Sequence, residues 1–139
     1  MQTLLFDLGG VVVDYRGPER LAALSKGAMS AADARAALSS FDALHAFERG
    51  EISPEAFAQA AVKEWRLAVT PEAFIADFET WPERLFPGAK EAIAAMKGRF
   101  RIACLSNINI PHWRQAAALG LGGFFDHDFL SHEMRSRKP

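Results

Sequence analysis

The sequence predicts an α/β protein with a Rossmann-like parallel sheet core and an inserted helical cap. Short apolar runs of strand character alternate with helical patterns, and such a series is typical of a doubly wound sheet. The first run, residues 3–6, contains no alternating polar residues, as expected of a strand buried on both faces. A long alanine-rich stretch with repeated helix start signals separates this run from the next predicted strand.

The alanine-rich stretch, residues 15–84, is expected to form the cap with three or four helices. Ser53 and Thr70 each precede a Pro-Glu pair, which puts a hydroxyl at the N-cap, a proline at the first helical position and an acid in the first turn. The aromatic residues expected to form the core of the cap, rather than a substrate cage, are Trp65, Phe74, Phe78 and Trp81.

The strand and helix patterns resume after a Pro-Gly pair at 87–88, which marks the return to the sheet. The elements then expected are a helix over 89–97, a strand over 101–105, a helix over 111–119 and a short strand within 124–130. We therefore divide the chain into a sheet core, residues 1–14 and 85–139, and the cap between them.

Composition excludes several classes of protein. The 139 residues are 50% hydrophobic and 24% charged, with a net charge of −1, so there is no basic excess for nucleic acid or for an anionic membrane surface. No apolar run approaches the roughly 18 residues that a membrane span needs. The single cysteine, Cys104, cannot form an internal disulfide, which fits a reducing compartment, and we expect a cytoplasmic protein.

Polar residues follow two of the predicted strands at the point where each strand ends. Asp7 comes directly after the first strand and precedes Gly9, and Ser106 and Asn107 follow the second strand. Ligands of open α/β sheets bind outside the carboxyl ends of the strands. Each residue alone has an ordinary explanation as a turn or cap residue, but their shared position predicts a functional site.

Together and in this order, the motifs resemble those of the haloacid dehalogenase-like hydrolase superfamily, most of whose members are phosphatases. Residues 6–11 (FDLGGV) resemble its first motif, residues 105–107 (LSN) its second and residues 137–139 (RKP) its third. The segment 47–53 (FERGEIS) looks like the helical-cap branch that includes bacterial α-D-glucose-1-phosphate phosphatases. The resemblance covers nearly the whole chain and implies hydrolysis of a small-molecule phosphate ester.

The resemblance also implies a role for each matched residue. Asp7 would be the nucleophile that forms an aspartyl-phosphate, and Ser106 and Asn107 would bind the phosphoryl group. Lys138 would stabilise the charge of nucleophile and phosphate, as a catalytic and phosphate-binding residue. The implied cofactor is Mg²⁺, held by the Asp7 carboxylate and the backbone carbonyl of Gly9.

Gly9 departs from the pattern of the phosphatases, which usually carry there a second aspartate as general acid and base. Asp14, His45 or Glu48 are the alternatives for that role, as is water, and the sequence does not choose among them. Haloacid dehalogenases also lack the second aspartate, because a halide leaves without a proton. The runner-up function is therefore that of a metal-independent 2-haloacid dehalogenase.

The sequence stops directly after the residues that resemble the third motif, and it matches no fourth motif, the acidic pair that completes the metal site. We therefore expect an incomplete sheet whose first strand keeps an open edge. A missing C-terminal segment or a homodimer partner would cover that edge. A third reading is a non-catalytic fragment of a longer hydrolase.

Two further groups of residues have weaker claims to chemistry. Asp126, His127, Asp128 and His132 contain metal-ligating types, but three consecutive strand residues alternate between faces and cannot converge on one ion. Cys104 lies in the middle of a predicted strand, which favours a buried, inert thiol over a nucleophile.

Overall fold

The computed structural model describes residues 1–138, in which the chain forms five strands and eight α-helices. The strands are β1 (Thr3–Phe6), β2 (Val13–Tyr15), β3 (Pro82–Leu85), β4 (Arg101–Ser106) and β5 (His127–Leu130). The helices are α1 (Gly17–Leu24), α2 (Ala31–Ser39), α3 (Asp42–Glu48), α4 (Pro54–Glu64), α5 (Pro71–Phe78), α6 (Ala89–Ala94), α7 (Ile110–Ala116) and α8 (Ser131–Met134). A π-helical turn, Ala117–Leu121, continues α7.

The sheet that positions the site has three parallel strands in the order β1-β4-β5. Phe6 lies opposite Cys104, and Ser106 lies opposite Leu130, so the strands end at the same edge of the sheet. The predicted α/β class with a parallel sheet is confirmed. The residues that follow β1 and β4 are thereby brought together, as the order of the strands requires.

The expectation that β1 is buried on both faces is wrong. Leu5 is 55% exposed, and its neighbours Leu4 and Phe6 are only half-buried. The reason is strand order: within residues 1–138, β1 pairs with β4 alone and forms one edge of the sheet. The predicted open edge of the first strand is confirmed.

The segment between β2 and β3 folds into a helical unit of five helices, α1–α5, rather than three or four. Both predicted helix N-caps are present: the Ser53 hydroxyl accepts a hydrogen bond from the Ala56 amide at 3.1 Å, and the Thr70 hydroxyl accepts one from the Ala73 amide at 3.1 Å. The extra helices were missed because they are short; α3 has seven residues and lacks a side-chain cap, so its helical pattern is weak.

The helical unit has its own apolar core, distinct from that of the sheet. Phe57, Phe74, Phe78 and Trp81 are fully buried in it, as predicted for the last three, and Trp65 packs at its margin. The core beneath the sheet is formed by the residues Leu8, Val12, Val13, Ile93, Ile102, Cys104, Ile108, Ala116, Leu121, Phe124, Phe125 and Leu130. The division at residues 14 and 85 into core and cap stays our proposal.

The two strands that flank the helical unit pair with each other, which the sequence did not predict. β2 and β3 run antiparallel, with Val13 opposite Leu85 and Asp14 opposite Arg84. The helical unit therefore leaves and rejoins the sheet through one two-stranded connection. Leu44 and Glu48 of the helical unit share a cleft with Ser106 and Asn107, at the carboxyl end of β4.

Candidate functional site

Asp7 and Lys138 meet at the carboxyl end of β1. The Lys138 Nζ lies 2.9 Å from Asp7 Oδ1, and the same oxygen accepts the Leu8 amide at 2.8 Å. Lys138 Nζ also donates to the Leu105 carbonyl at 3.3 Å. Asp7 is 44% exposed at its side chain, so the carboxylate is both charge-paired and open to a solute. Both of these contacts are made by Oδ1, and neither involves the second oxygen, Oδ2.

Asn107 holds the backbone of Lys138 from both sides. Its Oδ1 accepts the Lys138 amide at 2.9 Å, and its Nδ2 donates to the Lys138 carbonyl at 3.2 Å. Residues far apart in sequence, at the ends of β4 and of the described chain, are locked together in this way. The structure thus brings Asp7, Asn107 and Lys138 into one cluster. Pro139, which completes the third motif, lies outside the described residues.

The turn after Asp7 is organised around one carbonyl. The Leu8 oxygen accepts the amides of Val11, Val12 and Val13 at 3.1, 2.8 and 2.9 Å. Gly10 has φ +78°, a conformation that glycine adopts without a side-chain clash. The extended segment consequently begins at Val13. The Leu8 carbonyl accepts these three hydrogen bonds, and the Gly9 carbonyl accepts none of them.

A cleft with a cavity volume of about 130 Å³ lies between the sheet edge and the helical unit. Gly9 lines one side and Ser106, which is almost fully buried, lines another. The remaining polar side chains that line it are Glu48, Asn107, Asn109 and His112. Tyr15, Leu44 and Pro82 supply part of its apolar wall. Two of the predicted phosphate-binding residues, Ser106 and Asn107, thus share one cleft, whereas Lys138 and Asp7 are not among the residues that line it.

Glu48 connects the helical unit to the segment that carries Lys138. Its Oε2 accepts from Arg137 Nε at 2.8 Å, and it is only 8% exposed. Burial raises the pKa of Glu48 above its ordinary value, although the Arg137 guanidinium acts in the opposite direction. Two residues later, Gly50 has φ +71°, and a Cβ there would lie 2.9 Å from the His132 carbonyl oxygen.

His112 and Tyr15 line the cleft and were missed by sequence reasoning. His112 Nε2 lies 2.7 Å from the Phe78 carbonyl oxygen, and its burial lowers the pKa of the imidazole to about 3. Burial, with the charge of Glu48, raises the pKa of the Tyr15 phenol. The sequence offered little sign of either, because both are placed by contacts between distant segments. Asn109, whose side chain caps α7, was the nearest local clue.

Asp14 and His45, two candidates for the missing acid, are engaged away from the cleft. Asp14 is buried and pairs with Arg16 and Arg84, each at 3.2 Å. His45 Nε2 lies 2.9 Å from the Ser39 carbonyl oxygen. Neither residue lines the cleft, whereas Glu48 does.

The weaker candidates have structural roles. Asp126 accepts the Ile102 amide at 2.8 Å, and Asp128 accepts from the Cys104 thiol at 3.4 Å. Burial raises the pKa of Cys104 to about 12, which keeps the thiol protonated. His132 Nδ1 lies 2.9 Å from the Ile108 carbonyl oxygen. Across residues 1–138 no three His, Cys, Asp or Glu side chains gather into a metal site, and no helix could cross a bilayer.

Solved structures share this fold. An enzyme of the haloacid dehalogenase (HAD) family from Bacteroides thetaiotaomicron superposes with a TM-score of 0.76 at 19% identity, over 100% of this chain and 72% of that one. A protein of Porphyromonas gingivalis described as a predicted HAD-like family hydrolase gives 0.73 at 22%, over 100% and 70%. L-2-haloacid dehalogenase of Xanthobacter autotrophicus gives 0.61 at 22%, over 100% and 60%.

A family model reaches the same result from the sequence. The model for haloacid dehalogenase-like hydrolases matches residues 1–139, which is the whole chain. The match includes the end of β1, the end of β4 and the segment of Lys138, whose side chains the fold has brought together. The chain belongs to the haloacid dehalogenase-like hydrolase family.

Proposed function

We propose that the chain hydrolyses small phosphomonoesters, sugar phosphates among them, through an aspartyl-phosphate at Asp7. The observation that carries the proposal is the 2.9 Å pair of Asp7 Oδ1 with Lys138 Nζ beside a cleft that Ser106 lines. A carboxylate attacking a phosphate anion needs its charge offset, and this lysine offsets it. In support, a similarly folded HAD enzyme has been crystallised with magnesium and inorganic phosphate.

In this proposal the two oxygens of Asp7 have different tasks. Oδ1 is held by Lys138 and the Leu8 amide, so the carboxylate cannot rotate freely. Oδ2 attacks phosphorus, while the P–O bond to the leaving group breaks. Ser106 donates its hydroxyl to a phosphoryl oxygen, and Lys138 stabilises the negative charge that spreads over the phosphoryl group. Water then hydrolyses the aspartyl-phosphate and regenerates Asp7.

The donor set suits Mg²⁺. Asp7 offers an accessible carboxylate, and the Gly9 carbonyl is not used by the hydrogen bonds of its own turn. Both are oxygen ligands, and Mg²⁺ in enzymes is commonly held by one or two carboxylates, with water and substrate phosphate completing its octahedral coordination. When bound, the cation would neutralise charge on the substrate. Asp7 and Gly9 are therefore the proposed metal-binding residues.

A second candidate function, dehalogenation of 2-haloacids, is favoured by Gly9. A halide leaves without a proton, so the absence of an acidic residue at this position matters less for that reaction. The fold shared with L-2-haloacid dehalogenase supports it too. If the chain is instead a non-catalytic fragment, we expect it to turn over neither a phosphate ester nor a 2-haloacid.

The test measures both activities in one preparation. Phosphate release from 4-nitrophenyl phosphate, with Mg²⁺ and with EDTA, is compared with chloride release from 2-chloropropionate. We expect Mg²⁺-dependent phosphate release, which Asp7→Asn abolishes without changing the circular dichroism spectrum. Asp42→Asn, at an exposed position of α3, is the matched control and should leave the rate unchanged. Chloride release instead would establish the dehalogenase, and an active Asp7→Asn variant would exclude Asp7 as the nucleophile.

A further inference from the structure

We propose that Glu48 is the general acid that protonates the leaving oxygen, the role that Gly9 leaves open; this inference rests on the proposed phosphatase function. Glu48 is the last residue of α3 and belongs to the helical unit, not to the strand that carries Asp7. It lines the same cleft as Gly9 and Ser106. The acid would therefore act from the helical unit into the cleft that Leu8 and Gly9, the two residues after Asp7, also line.

The other ionisable groups near the cleft are unsuited to the task. Asp14 and His45 do not line the cleft: Asp14 pairs with two arginines, and His45 Nε2 lies beside a backbone carbonyl. His112 is neutral above a pKa of about 3, and its Nε2 is committed to the Phe78 carbonyl. Tyr15 has a raised pKa, which makes its phenol a weak acid. Glu48 is the carboxyl group that remains.

The contacts of Glu48 orient it for proton transfer. Arg137 Nε binds Oε2 at 2.8 Å, and the next residue, Lys138, binds Asp7. The proposed acid, Glu48, and the proposed nucleophile, Asp7, are thus paired with two consecutive residues, Arg137 and Lys138. Oε1 is the oxygen that carries the proton. Because Glu48 is 8% exposed, its burial favours the protonated form that a general acid requires.

The proton follows a closed path through the two steps. As Asp7 Oδ2 bonds to phosphorus and the P–O bond to the leaving group breaks, the leaving oxygen takes its proton from Glu48 and departs as an alcohol. The Glu48 carboxylate then accepts a proton from the water that attacks phosphorus. The bond between phosphorus and Asp7 breaks, phosphate leaves, and both carboxyl groups return to their starting states.

The leaving group decides the test. Nitrophenolate can leave without being protonated, whereas an alkyl leaving group needs a proton from a general acid. In single-turnover measurements, we expect Glu48→Gln to release nitrophenolate within about threefold of the unaltered rate, and to release alcohol from an alkyl phosphate about 100-fold more slowly. With 4-nitrophenyl phosphate in excess over the enzyme, the slowed second step should produce a burst of one nitrophenolate per enzyme. Glu48→Asp, which keeps an acid, should recover part of the alkyl phosphate rate.

The matched control is Glu51→Gln, which alters another arginine-paired glutamate close in sequence but outside the cleft. It should change neither rate, and circular dichroism confirms the fold of every variant. Equal losses on both esters in Glu48→Gln, no loss on either, or no recovery with Glu48→Asp would each overturn the assignment. If the unaltered chain hydrolyses neither ester, the proposed function fails, and the acid with it.

Discussion

The ring of His112 stacks on that of Phe78, with centroids 3.9 Å apart, while its Nε2 lies 2.7 Å from the carbonyl oxygen of the same residue. The carbonyl can only accept, so Nε2 carries the hydrogen and donates it. Nδ1 then accepts from Asn109 Nδ2, at 3.2 Å. The neutral imidazole is therefore satisfied at both nitrogens, and a second proton would displace Asn109.

This contact predicts a loss of stability in acid. Burial lowers the pKa of His112 to about 3 from its ordinary 6.5, so only the unfolded chain gains a proton between these values. The stabilisation is complete above pH 6.5 and falls on acidification toward pH 3, by a few kcal/mol in all (order of magnitude). Urea unfolding at several pH values measures the slope. His112→Gln should flatten that slope, and an unchanged slope would contradict the prediction.

The bonds between Asn107 and Lys138 predict that Asn107→Ala slows the reaction through Lys138. Loss of two hydrogen bonds, each worth about 1 kcal/mol, should lower kcat about tenfold or more, because the lysine is held less firmly beside Asp7. Steady-state kinetics with 4-nitrophenyl phosphate measure this. Gln115→Ala, which removes a hydrogen bond to the Pro82 carbonyl and none to Lys138, provides the comparison and should retain full kcat. A variant that changes KM alone would indicate that Asn107 binds phosphate directly.

A carboxylate at position 9 should replace the acid that the first motif lacks. A Cβ at Gly9 would have Tyr15 Cβ as its nearest neighbour, at 3.9 Å, so the backbone accepts a side chain there. Gly9→Asp should raise turnover of alkyl phosphates relative to aryl phosphates, and should do so most in the Glu48→Gln background. Comparing the two esters in both backgrounds measures the effect. If the unaltered chain hydrolyses both at equal rates, protonation of the leaving group is already complete.

Gly17→Ala should destabilise the chain. A Cβ at this position would lie 2.2 Å from the Tyr15 hydroxyl oxygen, so the tyrosine ring must leave its place in the cleft wall. Overpacking of this kind typically costs about 1–3 kcal/mol. The midpoint of urea unfolding measures it. Gly9→Ala, where the space is open, should shift the midpoint much less, and equal shifts would show that the tyrosine is not the cause.

The position of the candidate site could be predicted from sequence because it depends on strand ends. Asp7 and Ser106 each follow a recognisable strand, and parallel strands end at the same edge. The rest of the cleft depends on contacts that no local pattern records. His112 lies on a short helix and is buried only because Phe78, 34 residues away, packs against it.

The exposure of β1 shows a different limit of sequence reasoning. An apolar run indicates a strand, but its burial depends on which strands flank it. Leu5 is exposed because β1 lies at the edge of the described sheet, and a run of three apolar residues is the same at an edge or a centre. The pairing of β2 with β3 was missed for a related reason: Val13 and Leu85 lie 72 positions apart in the sequence, and only the fold brings them opposite each other.

The contact between Gly50 and His132 restricts which foreign caps this protein could accept. The loop after α3 approaches the backbone of α8 so closely that only a residue without a side chain fits, at a φ of +71°. A chimera that places another helical unit between β2 and β3 would need a glycine at the equivalent point. A side chain there would push α8 away from the helical unit and separate Glu48 from Arg137. Exchange of the helical unit in this fold therefore depends on the close approach of Gly50 to His132, which lies outside β2 and β3.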